Sequence, residues 1–322
     1  VKAIVFEKTG DAGVMHPAEM PIPELRPGMV LIRVYAAGIN FADTFFIRGE
    51  YMIKPTLPDI PGLEAAGIIE AAAPDVKALK PGMRVTAFAR KSYAEYCVAP
   101  AAGVIPIPDF MSFEQAAAFP IQVLTAWHLL HTAYRTEPGN TVVIHSAAGG
   151  VGLTAIQIAK AAGARVIGTV SNDAKAAIAK QYGADEVINY TTHDFAAETM
   201  RLTDGRGADL VLDAIGKPTF EKGLGCLAAL GQIVLYGRAG GSPEPVNPLA
   251  LFGKSLRMSA FALPTVLPIP HLMRAGVEGS FALIRDGKLK IHIGRTFPLA
   301  QAVEAHRFLE SRDSTGKLLL IP

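Results

Sequence analysis

The sequence predicts an α/β protein of two domains, in which a doubly wound parallel sheet is inserted into a barrel-like, strand-rich domain made from both chain ends. Three observations predict it. At roughly 150 residues per domain, 322 residues suffice for two. Up to about residue 110 the chain reads as short strands punctuated by Pro-Gly. From Ser112 onwards six short apolar strands alternate with helical stretches, the pattern of a parallel sheet covered on both faces.

In chain order, "AIVF" is the first strand. Pro27-Gly28 and Pro81-Gly82 are turn dipeptides, and each opens a run of alternating, β-branched residues, "MVLIRVYAAGIN" and "MRVTAFA". "AAGIIEAA", "YAEYCVA" and "GVIPIP" complete the set. Ser112 and Gln115 have the spacing of a capping box ahead of an Ala-rich segment, and Pro138-Gly139 follows an expected helix over 122–134. "TVVIH", "RVIGTV", "EVINY", "LVLDAI", "QIVLYG" and "RMSAFA" are the six parallel strands, a full dinucleotide-binding core. Pro264, Pro268 and Pro270 make a rigid connection, a helix runs through "HLMRAGVEGSFALIRDG", and "KLKIHIG" and "GKLLLIP" return as strands to the first domain. The expected division is a substrate domain over 1–120 plus 263–322 and a nucleotide domain over 121–262.

Composition narrows the function classes. With 50% hydrophobic and 19% charged residues the chain is not disordered. Its 31 basic and 29 acidic residues leave +2, with no run of like charge, so no nucleic-acid or membrane-surface partner is expected. Glu7 and Lys8 interrupt the apolar start that a signal peptide needs. Cys97 and Cys226 lack metal-site or redox spacing, which fits a reducing, cytoplasmic setting. The uncharged stretches 116–134 and 141–159 carry Pro120, Gln122, His128, His131 and a glycine cluster, so they read as buried core rather than bilayer spans.

The strongest motif is "TVVIHSAAGGVGLTAIQIAKAAGARVIGTVS". A strand runs into Ala147, Ala148, Gly149, Gly150, Val151 and Gly152, and a helix follows. Gly149 and Gly152 fill two fingerprint roles, close backbone approach to a pyrophosphate and close helix–strand packing, at a helix N-terminus that favours negative charge. Ala147 stands where the first fingerprint glycine would be. An NAD site places Asp or Glu at the end of the second strand to bind the ribose hydroxyls. Here that end reads Thr169, Val170, Ser171, Asn172, with Lys175 beyond. Ser171 can donate to a 2′-phosphate and Lys175 can neutralise it, which points to NADPH. Asp173 would repel that phosphate if it turned inward, whereas as the cap of the next helix it would face the amides ahead. Ile215 and Gly237 end later strands at the carboxyl edge, where such sheets bind ligands, and Arg238 follows them.

In order along the chain, "AGINFADTFFIRGEY", "PGLEAAGII", "PGMRV", "AAAFPIQVLTAWHLL", "HSAAGGVG", "GTVSNDAK", "GADEVINY" and "STGKLLLIP" resemble the zinc-independent, zeta-crystallin-like quinone oxidoreductase branch of the medium-chain dehydrogenase/reductases. The resemblance spans essentially the whole chain. It implies a GroES-like substrate domain, a Rossmann domain for NADPH and a homodimer formed through "RMSAFA". It places Asn40, Asp43 and Tyr51 around the nicotinamide and acceptor, with Phe41 beside them. Phe45 stands where many relatives have tyrosine, leaving Tyr51 as the hydroxyl donor. The residues taken alone leave Asn40 a turn residue and Tyr51 a rim residue as readily as functional groups. Thr125 and, one helical turn on, His128 are implied near the nicotinamide, Tyr190 near the adenosine phosphate, and Phe261, Leu263 and Arg312 as further cofactor contacts.

The family's zinc enzymes carry a histidine before glutamate, whereas this chain has Leu63 before Glu64 and only two cysteines. No metal is therefore expected. Without a Lewis acid, the chemistry shifts to acceptors that take hydride at a conjugated carbon, a quinone, enone or enal, whose oxygen one or two donors can support. An enoyl thioester or unsaturated acid is a second acceptor class, and a non-catalytic NADPH-binding protein is the alternative to an enzyme.

Overall fold

The structure is a computed structural model that describes all residues from Val1 to Pro322. The first segment gives β1 (Lys2–Phe6), β2 (Met15–Glu19), β3 (Met29–Ile39), α1 (Phe41–Ile47), β4 (Glu64–Ala72), β5 (Arg84–Phe88), β6 (Tyr96–Pro100), β7 (Val104–Pro106) and α2 (Phe113–Ala117). The middle gives α3 (Leu124–His128), β8 (Thr141–Ile144), α4 (Gly150–Ala161), β9 (Arg165–Val170), α5 (Asp173–Gln181), β10 (Glu186–Asn189), α6 (Phe195–Leu202) and β11 (Ala208–Asp213). It continues through α7 (Phe220–Gly225), β12 (Leu227–Leu235), β13 (Arg257–Ala260) and α8 (Pro270–Arg285). The last segment adds β14 (Ile293–Pro298), α9 (Ala302–Glu310) and β15 (Lys317–Ile321).

These elements form two compact units, Val1–Ile121 with Ile291–Pro322, and Gln122–Lys290. The sequence reading put the second boundary at 262/263, but α8 packs on α3, with Gly276 and Gly279 against the His128 and Trp127 side chains, and so stays with the middle unit.

In the first unit a mixed sheet runs in the order β14-β15-β3-β4-β5-β7, with β6 also paired to β3 and an antiparallel β1–β2 hairpin beside it. Only β14 and β15 pair in parallel. β2 is a strand the sequence does not announce, because "MHPAE" has a proline and no apolar alternation; pairing with β1 makes it one. The inner side of this unit buries Ile4, Phe6, Ile32, Ile69, Tyr93, Phe297 and Leu320. "KLKIHIG" was expected as a strand, yet β14 begins only at Ile293. The Gln157 side chain holds both the N–H and the C=O of Lys290, the groups that a ladder would need there.

In the second unit all pairs are parallel, in the order β10-β9-β8-β11-β12-β13. Alternate residues serve opposite faces. Val142, Ile144, Val166, Leu210, Leu212 and Val234 pack on the α4 side, and Val143, Ile167, Val211 and Ile233 pack with Phe195, Phe220 and Leu224 on the other. The strand order reverses between β8 and β11, the place where such sheets bind ligands. The Ser112–Gln115 capping box is present in both directions. The helix expected over 122–134 is regular only across α3; on either side Phe119–Val123 and Leu129–Ala133 form wider turns. Pro120, lacking an N–H, opens the ladder at the first of these. No helix is long and apolar enough to cross a membrane.

Candidate active site

At the carboxyl edge of the parallel sheet, β8 leads through Ser146, in a left-handed conformation (φ 53°), to Gly149, which begins α4 without a side-chain cap. The first amides of α4 are thus free of the usual capping partner and available to an anion. A Cβ on Gly152 would stand 2.4 Å from the Ser146 carbonyl oxygen and 2.8 Å from that of Ala147, so only glycine permits this approach of helix to strand. Ala148 is buried behind the turn.

Half-buried Ser171 follows β9. The cap of α5 is Asn172, whose Oδ1 accepts from the Lys175 N–H at 2.9 Å. Asp173, expected as that cap, is instead the first helical residue, and its carboxylate accepts from Asn189 Nδ2 at 3.2 Å. Its charge is therefore directed to the end of β10. Lys175 is half-buried on α5, and Tyr190, just past β10, is 45% exposed. This set, bare amides with a hydroxyl and a cation where an acid would select NAD, fits a dinucleotide carrying a 2′-phosphate.

Further along the edge, Ile215 N–H and Gly216 N–H donate to Asp213 Oδ1 at 2.7 and 3.0 Å, which fixes the loop after β11. Gly237 lies against the Ala214 carbonyl, with exposed Arg238 next to it. Phe261 N–H donates to the Leu235 carbonyl, and Leu263 is buried. Thr125 and His128 are buried on α3. The His128 ring shares a hydrogen bond with Thr132 Oγ1, stacks near Phe261 at 6.4 Å and has no partner at Nε2. Burial, aided by neighbouring His131, lowers its pKa to about 4, so it is neutral. His145 and Asp213, at the strand ends on either side of the switch point, lie inside "HSAAGGVG" and "LVLDAI", where the sequence assigns neither a role; His145 shares a hydrogen bond with Thr169 Oγ1 at 2.8 Å.

The first unit gathers Asn40 and Asp43 in a buried polar cluster, with Tyr51 close enough to feel the Asp43 charge. Asn40 Nδ2 donates to Glu64 Oε1 at 2.9 Å, and its Oδ1 accepts from Lys317 Nζ at 2.6 Å. Lys317 Nζ also donates to Glu64 Oε1, and the Ile121 N–H reaches Glu64 Oε2 at 2.8 Å. Glu64 is fully buried and Lys317 nearly so. Gly38 makes room for them, since a Cβ there would lie 2.4 Å from Glu64 Oε1. Asp43 Oδ2 accepts from the Asn40 N–H at 2.8 Å and from the Tyr93 hydroxyl at 3.1 Å, while Oδ1 is buried without a partner. Burial raises the Asp43 carboxyl to about 7 against the opposing pull of the Asn40 amide and Lys317. Tyr51 packs at the margin of the apolar core, its pKa raised by burial and then by Asp43. Phe41 is 37% exposed at the start of α1, and Arg312 holds a left-handed backbone (φ 65°) before β15.

Glu64 and Lys317 lie inside "PGLEAAGII" and "STGKLLLIP", where nothing local marks either as functional; Tyr93 and His306 carry no sequence signal, because a lone aromatic and a lone histidine usually mean core. The Glu64 carboxylate, which follows a ligand histidine in zinc relatives, is here occupied by Lys317, Asn40 and Ile121. No three His, Cys, Asp or Glu side chains stand together as a metal cage.

Two family profiles match, "Alcohol dehydrogenase GroES-like domain" over residues 26–109 and "Zinc-binding dehydrogenase" over 150–275. A quinone oxidoreductase of Pseudomonas aeruginosa is 38% identical over 100% of this chain and 99% of its own. A 2-haloacrylate reductase of a Burkholderia species is 34% identical over 100% and 99%. Among solved structures, Escherichia coli quinone oxidoreductase complexed with NADPH superposes with a TM-score of 0.96 at 35% identity, covering both chains fully. With this fold, this fingerprint turn and relatives matched end to end, the chain belongs to the zinc-independent quinone oxidoreductase branch of the medium-chain dehydrogenase/reductases.

Proposed function

We propose that this protein is an NADPH-dependent reductase that passes hydride to a quinone or another conjugated carbonyl without a metal ion. The observation that carries the reading is the Gly152 turn followed by a β9 end with Ser171 and Lys175 in place of an acid, in a chain of the quinone oxidoreductase branch. When bound, NADPH supplies the hydride. The amides of 148–152 hold its pyrophosphate, and Ser171, Lys175 and Tyr190 its adenosine phosphate. Ile215, Gly237, Arg238, Phe261, Leu263 and Arg312 add contacts along its length, and Thr125, His128, Asn40, Phe41 and Asp43 belong to its nicotinamide end. Asn40 acts by holding Glu64 and Lys317, since both ends of its amide are committed to them.

Hydride arriving at a conjugated carbon leaves negative charge on the acceptor oxygen, and the Tyr51 hydroxyl is the donor that supports it. Asp43, kept partly protonated near neutral pH by its burial, is the nearby acid. An unsaturated acid is a second acceptor class, favoured by the likeness to a 2-haloacrylate reductase. The buried, unpaired Cys97 and Cys226 suit the cytoplasm. The dimer is assigned to the open edge at β13, where Met258 is 44% exposed, with the turn over 248–254 ahead of it, where Leu249 is 76% and Phe252 84% exposed.

The test is NADPH oxidation with a panel of quinones, enones and 2-haloacrylate, repeated with a chelator. Activity on at least one class, retained under chelation, is expected; no oxidation with any acceptor removes the enzyme reading. Tyr51→Phe should lower turnover by less than roughly 10²-fold, more for an enone than for a quinone, with NADPH affinity unchanged.

A further inference from the structure

At the amino edge of the parallel sheet, away from the fingerprint turn, α4 and α5 end beside the segment that follows α8, and the three enclose a groove of about 650 Å³. Its cationic side chains are Lys160 from α4 and Lys288 and Lys290 from the segment after α8, and no Asp or Glu is among the residues that line it. The acids that adjoin it are already taken. Asp185 holds Lys160 at 2.7 and 2.9 Å, and Asp286 pairs with Arg285 at 3.1 Å. Lys288 and Lys290 are exposed, and neither ammonium has an ion pair or a hydrogen bond.

The backbone, and not any counter-ion, fixes these two lysines in place. After α8 the chain turns at Gly287, in the left-handed region (φ 70°), and the N–H groups of Lys288 and Leu289 both donate to the Leu283 carbonyl, at 2.9 and 3.0 Å. Leu289 is 1% exposed. At Lys290 the Gln157 side chain clasps the main chain from both directions, accepting from the N–H at 2.7 Å and donating to the C=O at 3.0 Å. Gln157 is itself buried and is steadied by a further bond to the Leu153 carbonyl. With Leu289 turned inward, its two neighbours leave the open side of the segment together. Like charges fixed two positions apart with no counter-ion repel each other, and a bound anion would remove that cost.

We infer that this groove is a second anion site, one that takes a compact anion carrying two or more phosphate groups. Lysine meets phosphate as a point charge with three rotating donors, and two unpaired lysines call for more than one anionic group. The Gln181 amide and the Tyr182 hydroxyl also line the groove. Burial raises Tyr182, so its hydroxyl keeps its proton. The volume falls within the range of about 300–1,000 Å³ usual for small-molecule sites.

This site is separate from the turn that faces the cofactor. α4 has 12 residues, a length of about 18 Å, and the groove touches it only from Gln157 onwards, whereas the fingerprint turn lies at its start. Helix ends of this polarity ordinarily oppose an anion through their bare carbonyls. Here the carbonyls of 158–160 and 178–180 already accept from the amides of 162–164 and 182–184, which reduces that opposition.

The experiment titrates NADPH-saturated protein, whose fingerprint turn is already filled, with inorganic pyrophosphate and separately with ADP by calorimetry. A single pyrophosphate site per chain is expected, weakening with salt as the Debye length falls from about 30 Å at 0.01 M to about 8 Å at 0.15 M. ADP separates the two sources of a diphosphate group: tighter binding than pyrophosphate assigns the site to a nucleotide, weaker binding to the inorganic anion. In Lys288→Gln/Lys290→Gln both probes should bind about tenfold more weakly, with NADPH affinity and Tm unchanged. Gln157→Met keeps every lysine but frees the Lys290 backbone, and it should weaken pyrophosphate as well, because placement and not charge alone makes the site. Equal pyrophosphate affinity in the wild type and the double lysine variant shows an adventitious ion only and overturns the site, as does a wild type that binds neither probe. Wild-type affinity in Gln157→Met also counts against it; should that variant not fold, the lysine variant decides alone. A protein that fails to bind NADPH removes the reductase reading instead, and the same lysine comparison on the unliganded protein still decides the groove, since it leaves the fingerprint turn untouched.

Discussion

Lys175 and Lys317 carry the same charge and do opposite work. Lys175 stands half-buried on α5 beyond Ser171, where it can pair with a phosphate. A charge-assisted contact there is worth roughly 1.5–3 kcal/mol, or about ten- to hundredfold in affinity. Lys175→Ala should therefore raise the NADPH dissociation constant by that factor and leave NADH nearly unchanged in a fluorescence titration; equal loss for both cofactors would sink the assignment. Lys317 is 3% exposed and is bound to Glu64 and Asn40 within the protein. Removing it alone strands the Glu64 carboxylate in the interior. Lys317→Met should cost about 3–5 kcal/mol in urea unfolding, and adding Glu64→Gln should restore most of that loss, because the penalty lies in the unpaired charge and not in the missing contact. Exposed pairs such as Arg26–Glu24 should show no comparable effect.

Among the elements, α4 shows how packing and binding share one residue. Its first turn must lie close enough to β8 for its amides to face an anion, and Gly152 is where that approach is tightest. Gly152→Ala has to push α4 away from the Ser146 and Ala147 carbonyls. NADPH affinity should fall by at least tenfold and Tm should drop with it, as an overpacked site typically costs about 1–3 kcal/mol; unchanged binding by calorimetry would show that the turn does not receive the pyrophosphate. Neighbouring α5 owes its start to Asn172, which leaves the Asp173 carboxylate with Asn189. That one-residue difference in the cap matters for the cofactor, since an acid aimed at Lys175 would repel a 2′-phosphate. In the turn over 248–254 that precedes edge strand β13, Phe252→Asp should convert a dimer into a monomer by light scattering, whereas an already monomeric wild type would rule out β13 as the interface.

For the whole molecule, pH couples the buried groups to stability with opposite signs. Asp43 is raised to about 7, so the folded state holds its proton where the unfolded chain has released it. Its contribution is complete below about 3.8 and is lost as pH rises towards 7. His306 is lowered to about 4 and contributes in full above its unfolded value near 6.5, with loss as pH falls towards 4. Between these limits the two slopes, each about 1.4 kcal/mol per pH unit, nearly cancel. His128, His131, His145 and His292 are also lowered, and they tip the balance towards weaker stability in acid. In urea unfolding at several pH values, Asp43→Asn should steepen the acid loss and His306→Gln should flatten it; identical slopes in both variants would refute the assignment. The sequence by itself determined the six parallel strands, their order of appearance, the fingerprint turn and Ser171 in place of an acid at the end of β9, because strand period, turn residues and caps are local and each is readable within a dozen positions. Tertiary structure alone decided that β2 is a strand, that 288–292 is not, that α8 stays with the parallel sheet, and that Lys317, Glu64, Tyr93 and His306 meet Asn40 and Asp43. Those partners lie up to 277 positions apart, and burial, which sets both their pairing and their protonation, is a property of the packed chain that no local pattern encodes.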